Sequence, residues 1–307
     1  MITIQKDIPL GPLTTFEIGG NARLYCEVRS EADIEEAIRY AQTEEVPFFI
    51  LAGGSNMLID DDGFDGLVIR MLSDSYSFEG NMLTASSGCN LSVLIDAAAK
   101  HILGSWEKLA GIPGTLGGAV RGNAGAFGTE IKDVVVEVSA MHIHTFEKKI
   151  FTTEECEFSY RNSFFKLHPE WVIISATMRL AEKDQKEILA EIEHTIHERE
   201  IRHLQNVRAA GSYFMNPVAP EHVVKYFETE KATTAREGRV PAGWLIDKVG
   251  LKGEREGGAI ASVQHPNYLV NETGSATAYD VTQLAERIKH AVYKEYGITL
   301  QEEVTLL

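Results

Sequence analysis

The sequence predicts a fold of the α+β or α/β class, and three observations carry that reading. Segments with helical apolar spacing alternate with short apolar strand-like runs along the whole chain. Two glycine-dense loops, Leu51–Leu58 and Ala110–Ala119, are embedded in apolar sequence rather than in linker-like sequence. The composition, 44% hydrophobic and 24% charged over 307 residues, is that of a globular chain with room for two or three domains.

The elements follow in order. Ser30 is placed as an N-cap with Asp33 at the third position after it, and Ile34, Ala37, Ile38 and Ala41 follow at helical spacing. Pro47 precedes Phe48-Phe49-Ile50-Leu51, a short buried strand that runs straight into the first glycine loop. Leu67–Ile69 reads as another strand, Leu91–His101 as a helix leading into the second glycine loop, and Val134–Ile143 and Val172–Leu180 as strands. Gln185–Arg202 has helical periodicity and many charges, as a surface or connecting helix would. Val281, Leu284, Ile288, Ala291 and Val292 form the apolar stripe of a final helix that Gly297 ends, and Thr299–Leu306 is expected to close the chain as a strand. The domain boundary is expected near residue 205. No repeat or low-complexity segment is present.

The formal net charge of −16, without any basic run, argues against nucleic acid as a partner. An anionic ligand must then be held by backbone N–H groups, helix termini or a few placed cations. Cys26, Cys89 and Cys156 are odd in number and far apart, so buried reduced thiols are expected rather than a disulfide framework, a nucleophile or a metal site. The N-terminus lacks a signal-peptide pattern and no window reaches the roughly 20 apolar residues of a membrane span, which points to a cytoplasmic protein with no membrane partner.

The glycine loops carry the first functional signal. Glycine lets main chain approach where a Cβ would clash, and Ile112, Leu116 and Val120 interleave with the glycines of the second loop. Two such loops suggest one large phosphate-bearing cofactor gripped from two sides. Neither a Gly-x-Gly-x-x-Gly fingerprint nor a Gly-x-x-x-x-Gly-Lys-Ser/Thr loop is present, so the grip is of another kind.

A series of short motifs then converges. Thr14-Thr15-Phe16-Glu17-Ile18-Gly19-Gly20 is followed by Gly53-Gly54-Ser55-Asn56, by Gly111-Ile112-Pro113-Gly114 through Gly117-Gly118-Ala119, and by Asn123-Ala124-Gly125-Ala126. Next come Tyr160-Arg161, Ala210-Gly211-Ser212, Asn216-Pro217, Ala242-Gly243-Trp244-Leu245-Ile246, Gly257-Gly258-Ala259 and Glu303-Val304. Each is weak alone; in this order, from about Leu13 to the end of the chain, they are specific. The chain resembles the UDP-N-acetylenolpyruvoylglucosamine reductase family of bacterial wall synthesis.

The resemblance implies an α+β protein with a two-lobed FAD-binding region of the vanillyl-alcohol-oxidase type, lobes 1–72 and 73–204, and a C-terminal α/β substrate domain, 205–307. It implies bound FAD, NADPH as the hydride source, and UDP-N-acetylglucosamine enolpyruvate as the substrate. Hydride added to the terminal carbon of the enol ether drives negative charge onto the neighbouring carbon and its carboxylate, so a cation, a stabilising donor and a proton source are needed. By motif position these are Arg161 for the carboxylate and developing charge, Ser212 as proton donor to carbon, and Glu303 as the acid supporting the intermediate. Gly53, Gly54, Ser55 and Asn56, with Met57 beside them, are expected at the FAD pyrophosphate. Gly111, Ile112, Gly114, Thr115, Gly117, Gly118, Ala119, Asn123, Gly125 and Ala126 are expected to line the rest of the cofactor. Tyr160, Asn216, Lys252 and His265 are assigned to the UDP-sugar. Alternation in the last strand would put Glu303 on the face of Gln301 and leave Glu302 on a solvated edge. The pairs Glu35-Glu36 and Glu44-Glu45 read as solvated faces.

The chain also departs from the family's pattern. Met215 stands where Lys is usual, with Arg208 as a candidate substitute for the lost cation; Arg121-Gly122 replaces a bulkier pair and Phe127 replaces Tyr. His203-Leu204-Gln205-Asn206 differs from the usual basic run. The Ser163–Ser212 interval is short, whereas Val218–Val240 is long. The competing reading is an FAD-dependent alcohol or hydroxy-acid oxidase on the same scaffold, and a further one is a non-catalytic flavin or nucleotide-sugar sensor. The presence of Arg161, Ser212 and Glu303 favours the reductase.

Overall fold

The computed structural model describes residues 1–202 and 206–307. The expected boundary between 204 and 205, and most of the atypical 203–206 run, lie outside the described residues. Two compact units are present. The first comprises Met1–Ile8, Ala22–Gly53 and Asp65–Ile201, and the second Pro9–Asn21, Gly54–Phe64 and Arg202–Leu307.

In the first unit, Ser30 begins helix α1 (Glu31–Thr43) with a full capping box: its hydroxyl accepts from Asp33 N–H while the Asp33 carboxylate accepts from Ser30 N–H. The buried side of α1 is the expected one, Ile34, Ala37, Ile38 and Ala41, packed with Cys26, Val28, Leu67 and Ile69. It covers a four-stranded sheet in the order Gln5–Pro9, Asn21–Val28, Phe64–Met71, Phe48–Leu51. Phe48–Leu51 runs parallel to Leu67–Arg70, so this strand enters the glycine loop from a fixed sheet position. Of the two acidic pairs on or after α1, Glu35 is not simply solvated: it pairs with Arg39 one turn on, at 2.7 Å.

A second, antiparallel sheet of the same unit is ordered Lys148–Thr152, Val135–His142, Trp171–Arg179, Met82–Ser86, Tyr76–Glu79. Against it lie α2 (Leu91–Lys100), capped by the Asn90 side chain, and the short α3 (Leu116–Arg121), capped by Thr115. A single turn, α4 (Phe164–Leu167), and the charged helix α5 (Gln185–Ile201) complete the unit. Its core joins Leu94, Ile95, Trp106, Leu116, Val120, Val138, Phe151 and Ile173.

The second unit is built from α6 (Glu221–Lys231), α7 (Ala242–Lys248), α8 (Ala278–Tyr296) and a three-stranded antiparallel sheet, Arg255–Glu256, Ala259–Ala261 and Leu269–Asn271. The long Val218–Val240 interval forms α6, whose Val223 and Phe227 are buried, and it is tied to α7 through Glu230 and Lys248 at 2.5 Å. α8 begins with a Thr277 capping box and ends at Gly297, whose φ of 65° is the left-handed value of a helix C-terminus. Its first N–H groups are also met from far along the chain: Asp61 accepts from Ala278 at 2.8 Å and from Tyr279 at 3.1 Å.

Two expectations are corrected here. The closing strand is not Thr299–Leu306; only Thr305–Leu306 forms a strand, parallel to Met57–Leu58, and Glu302 makes one isolated bridge to Phe214. Residues before Thr305 face a loop, so they are held by single hydrogen bonds instead of a ladder. Glu302 is not on a free acidic edge either, because Lys289 of α8 pairs with it at 3.0 Å. All three cysteines are buried free thiols, as expected. Among the described residues no helix is long and apolar enough to cross a membrane, and no His, Cys, Asp and Glu cluster could hold a metal ion.

Candidate functional site

In the first unit Gly53, where the first glycine loop begins, touches the second loop at Gly114. A Cβ on Gly53 would lie 2.6 Å from the Cα of Gly114, so two main chains meet with no room for a side chain between them. Further along the second loop, Gly117 packs against Ser87, and its N–H donates to the Ser87 carbonyl at 2.8 Å. Thr115 caps α3 through Gly118 N–H, and Gly118 itself faces open space beyond that hydroxyl. Ile112 is half-buried and Gly111 takes a φ of 74°. Ala119 is turned into the core of the unit, so of the assigned residues it offers a ligand the least.

Asn123 is fully buried and left-handed, with φ 43°. Its Nδ2 donates to Ser159 O at 2.9 Å and to Glu130 at 3.1 Å, while its Oδ1 accepts from Lys132 N–H at 3.3 Å. Gly125-Ala126 pairs with Thr129-Glu130 in a hairpin whose turn residues, Phe127 and Gly128, both have positive φ. This is the primed turn that suits strand twist. It explains the backbone at Phe127 without reference to what its ring does.

Arg161 sits in a second tight turn. Ser159 and Asn162 exchange both backbone hydrogen bonds at 3.1 Å, and Arg161 between them has φ 55°. A non-glycine residue in that region is strained by about 1–3 kcal/mol and persists only where the surroundings hold it. They do so here: Arg161 Nη2 donates to Gly125 O at 2.8 Å, and Lys166 donates to Arg161 O at 3.0 Å. The guanidinium also lies 5.2 Å from the centre of the Tyr160 ring. Glu130 is close by. Burial alone would raise its pKa, but hydrogen bonds from Lys132 and Asn123 and the charges of Lys132 and Arg161 outweigh it and lower the pKa. The turn therefore holds a fixed cation in a site that already contains its counter-charge.

In the second unit the backbone of Tyr213–Met215, which follows Ser212, pairs with that of Gln301–Glu303. Glu303 N–H donates to Tyr213 O at 2.8 Å, and Met215 N–H donates to Gln301 O at 2.9 Å. Asn56 joins them: its Nδ2 donates to Glu303 O at 3.1 Å and its carbonyl accepts from Thr305 N–H at 3.0 Å. Met57 is buried in the strand beside Thr305. A Cβ on Gly54 would strike the Leu13 carbonyl. Among the described residues Gly53, Gly54 and Asn56 donate their N–H groups to no other backbone group.

The remaining assignments separate. Asn216 Oδ1 accepts from Ala242 N–H at 3.0 Å, capping α7, and its carbonyl accepts from Arg239 at 2.9 Å. Lys252 is exposed on the turn before Gly253. His265 is half-buried with its ring 4.8 Å from Tyr268, and burial, aided by the charge of Arg202, holds its pKa below the ordinary value. Arg208, the candidate replacement for a cation at Met215, instead approaches Glu17 at 3.8 Å and lies against Gly274.

Residues 199–307 match the model of the UDP-N-acetylenolpyruvoylglucosamine reductase C-terminal domain, and residues 22–142 match that of an FAD-binding domain. A reductase of that name from Solibacter usitatus is 35% identical over 303 residues, 99% of this chain and 96% of the relative. One from a Synechococcus strain is 37% identical over 99% of this chain and 91% of its own length. The crystal structure of the corresponding Thermus caldophilus reductase superposes with a TM-score of 0.79 at 30% identity, covering 100% of this chain and 99% of the other. The chain belongs to the UDP-N-acetylenolpyruvoylglucosamine reductase family.

As an FAD-binding member of this family, the chain needs a loop that can receive a pyrophosphate. Gly53 and Asn56 are exposed and, among the described residues, donate their N–H groups to no backbone partner, so main-chain donors here are open to an anionic ligand. The side-chain-free contact of Gly53 with Gly114 fits a loop shaped by close approach rather than by packing. Sequence reading of this reductase missed Asn267, Lys289 and Asp61. None lies in a motif, and each acts on residues 13 to 218 positions away.

Proposed function

We propose that this protein reduces the enolpyruvyl ether of UDP-N-acetylglucosamine enolpyruvate to UDP-N-acetylmuramate, a step of bacterial wall synthesis, with NADPH as the hydride source. Bound FAD would supply the two-electron carrier that links NADPH to the ether. The observation that supports the reading is the backbone hydrogen bond from Glu303 N–H to Tyr213 O, which ties the segment carrying Glu303 to the segment that follows Ser212.

Each side chain then has a task. The Arg161 guanidinium, fixed by its turn, takes the substrate carboxylate in a charge-assisted fork and stabilises charge that reaches it. Reduction of the double bond at its terminal carbon leaves an electron pair on the neighbouring carbon. Ser212 delivers the proton that completes the new C–H bond, and solvent restores the hydroxyl. Serine is a weak acid, so the transfer needs the electron pair already developed and a donor nearby. Glu303 is the residue that would supply that donor. Tyr160 steadies Arg161 from its ring face. Residues Gly53 to Met57 and Gly111 to Ala126 hold the flavin, and the region from 205 onward holds the UDP-sugar, with Lys252 and His265 as its nearest candidates.

The test is optical. Purified holoprotein should be yellow, bleach with NADPH under anaerobic conditions, and regain its colour with one equivalent of UDP-N-acetylglucosamine enolpyruvate. Bleaching without recovery would reject the substrate.

A further inference from the structure

Two residues that immediately follow Ser212 are clamped in an unusual way. Asn267 is 2% exposed and Phe214 is fully buried. The Asn267 Oδ1 accepts from Phe214 N–H at 2.9 Å, its Nδ2 donates to Phe214 O at 2.8 Å, and its own carbonyl accepts from Tyr213 N–H at 2.7 Å. A side-chain amide thus replaces a strand partner, pairing with both polar groups of one residue. On the opposite side of the same backbone, Glu303 N–H takes the Tyr213 carbonyl and Gln301 O takes Met215 N–H. Thr15 Oγ1 fixes the other end at Ala209 O, 2.7 Å. Gly211, with φ 74° and open space around it, is the remaining pivot.

We infer that Asn267 is a positioning residue for Ser212: its carboxamide fixes the Tyr213-Phe214 backbone so that the serine hydroxyl keeps one direction relative to Glu303. The chemistry selects an amide. Only a group with a donor and an acceptor side by side satisfies both the N–H and the C=O of one buried residue. Without it the loop could rotate about Gly211, and a proton donor displaced by about 1 Å loses on the order of a hundredfold in rate. The inference rests on the proton-donor reading of Ser212.

The test compares holoenzyme variants Asn267→Gly and Asn267→Asp with Ser212→Ala. Asn267→Gly removes the side chain but keeps the Tyr213 contact. Asn267→Asp keeps volume and acceptor, and when ionised it loses the donor. Flavin content establishes folding, and if the Asp variant fails to retain flavin the Gly variant carries the comparison. Amide hydrogen exchange should show Phe214 N–H losing protection. Reduction by NADPH should stay within about twofold of the parent, while reoxidation by the enolpyruvyl substrate slows by about tenfold to a hundredfold. An exposed Phe214 amide with reoxidation at full speed overturns the inference. So does equal slowing of both half-reactions, which would mark a merely structural residue. Ser212→Ala reoxidising normally would remove the reading beneath it, and Ser212→Ala slow with both Asn267 variants fast would sink the positioning role alone.

Discussion

Glu303 and Tyr213 share a 2.8 Å backbone hydrogen bond across 90 residues of sequence, and this bond ties the segment carrying the Glu303 carboxylate to the serine loop. Neither residue's side chain makes the bond. Substitutions at Ser212 or Glu303 should therefore change chemistry while leaving the register intact.

Replacing Ser212 with alanine is expected to leave bleaching by NADPH unchanged. Return of colour with the enolpyruvyl substrate should slow by about 10²–10⁴-fold, the range for a positioned proton donor. Anaerobic stopped-flow absorbance of each half-reaction measures this; equal slowing of both would take Ser212 out of the proton-donor role.

Arg161→Lys keeps a positive charge but not the fork, and it loses the hydrogen bond to Gly125 O. A charge-assisted hydrogen bond contributes about 1.5–3 kcal/mol, so kcat/KM for the carboxylated substrate should fall about tenfold to a hundredfold. The rate of reduction by NADPH is the control. An unchanged kcat/KM would mean that Arg161 serves only its turn.

Gly53→Ala puts a methyl group where the Gly114 main chain already stands. Overpacking of this kind costs about 1–3 kcal/mol. Thermal melting should show the loss, and the flavin should dissociate more readily on dilution. A variant with parental melting temperature and full flavin content would show that the two loops separate without cost.

Burial, reinforced by nearby carboxylates, pushes the Cys26 and Cys156 thiols from 9.0 up to about 12. The unfolded chain releases these protons near pH 9 while the folded chain retains them to about pH 12. The stabilisation is complete below pH 9 and is lost between pH 9 and about pH 12. Urea midpoints measured across that interval should fall with pH, and a Cys26→Ala/Cys156→Ala variant should fall less steeply. Identical slopes would assign the alkaline loss to other groups.

Much of this was legible locally. Ser30 with Asp33 and Asn90 before Leu91 place helix starts, and Gly297 places a stop, because a cap needs only residues within one turn. The glycine loops stood out for the same reason: a position without a side chain in apolar sequence announces close approach. Arg161, Ser212 and Glu303 were found by motif order, not by any local rule.

What the sequence by itself determined is therefore the periodic elements, their caps, the three buried thiols and the family. Tertiary structure alone decided that the chain's end is mostly an irregular segment rather than a strand, that Glu302 pairs with Lys289, that Asn216 caps α7, and that Asn267 grips Phe214. The physical reason is range. A backbone N–H or C=O must find a partner, but when that partner lies 53 residues away, as Asn267 does from Phe214, no spacing in the sequence records which side chain will supply it.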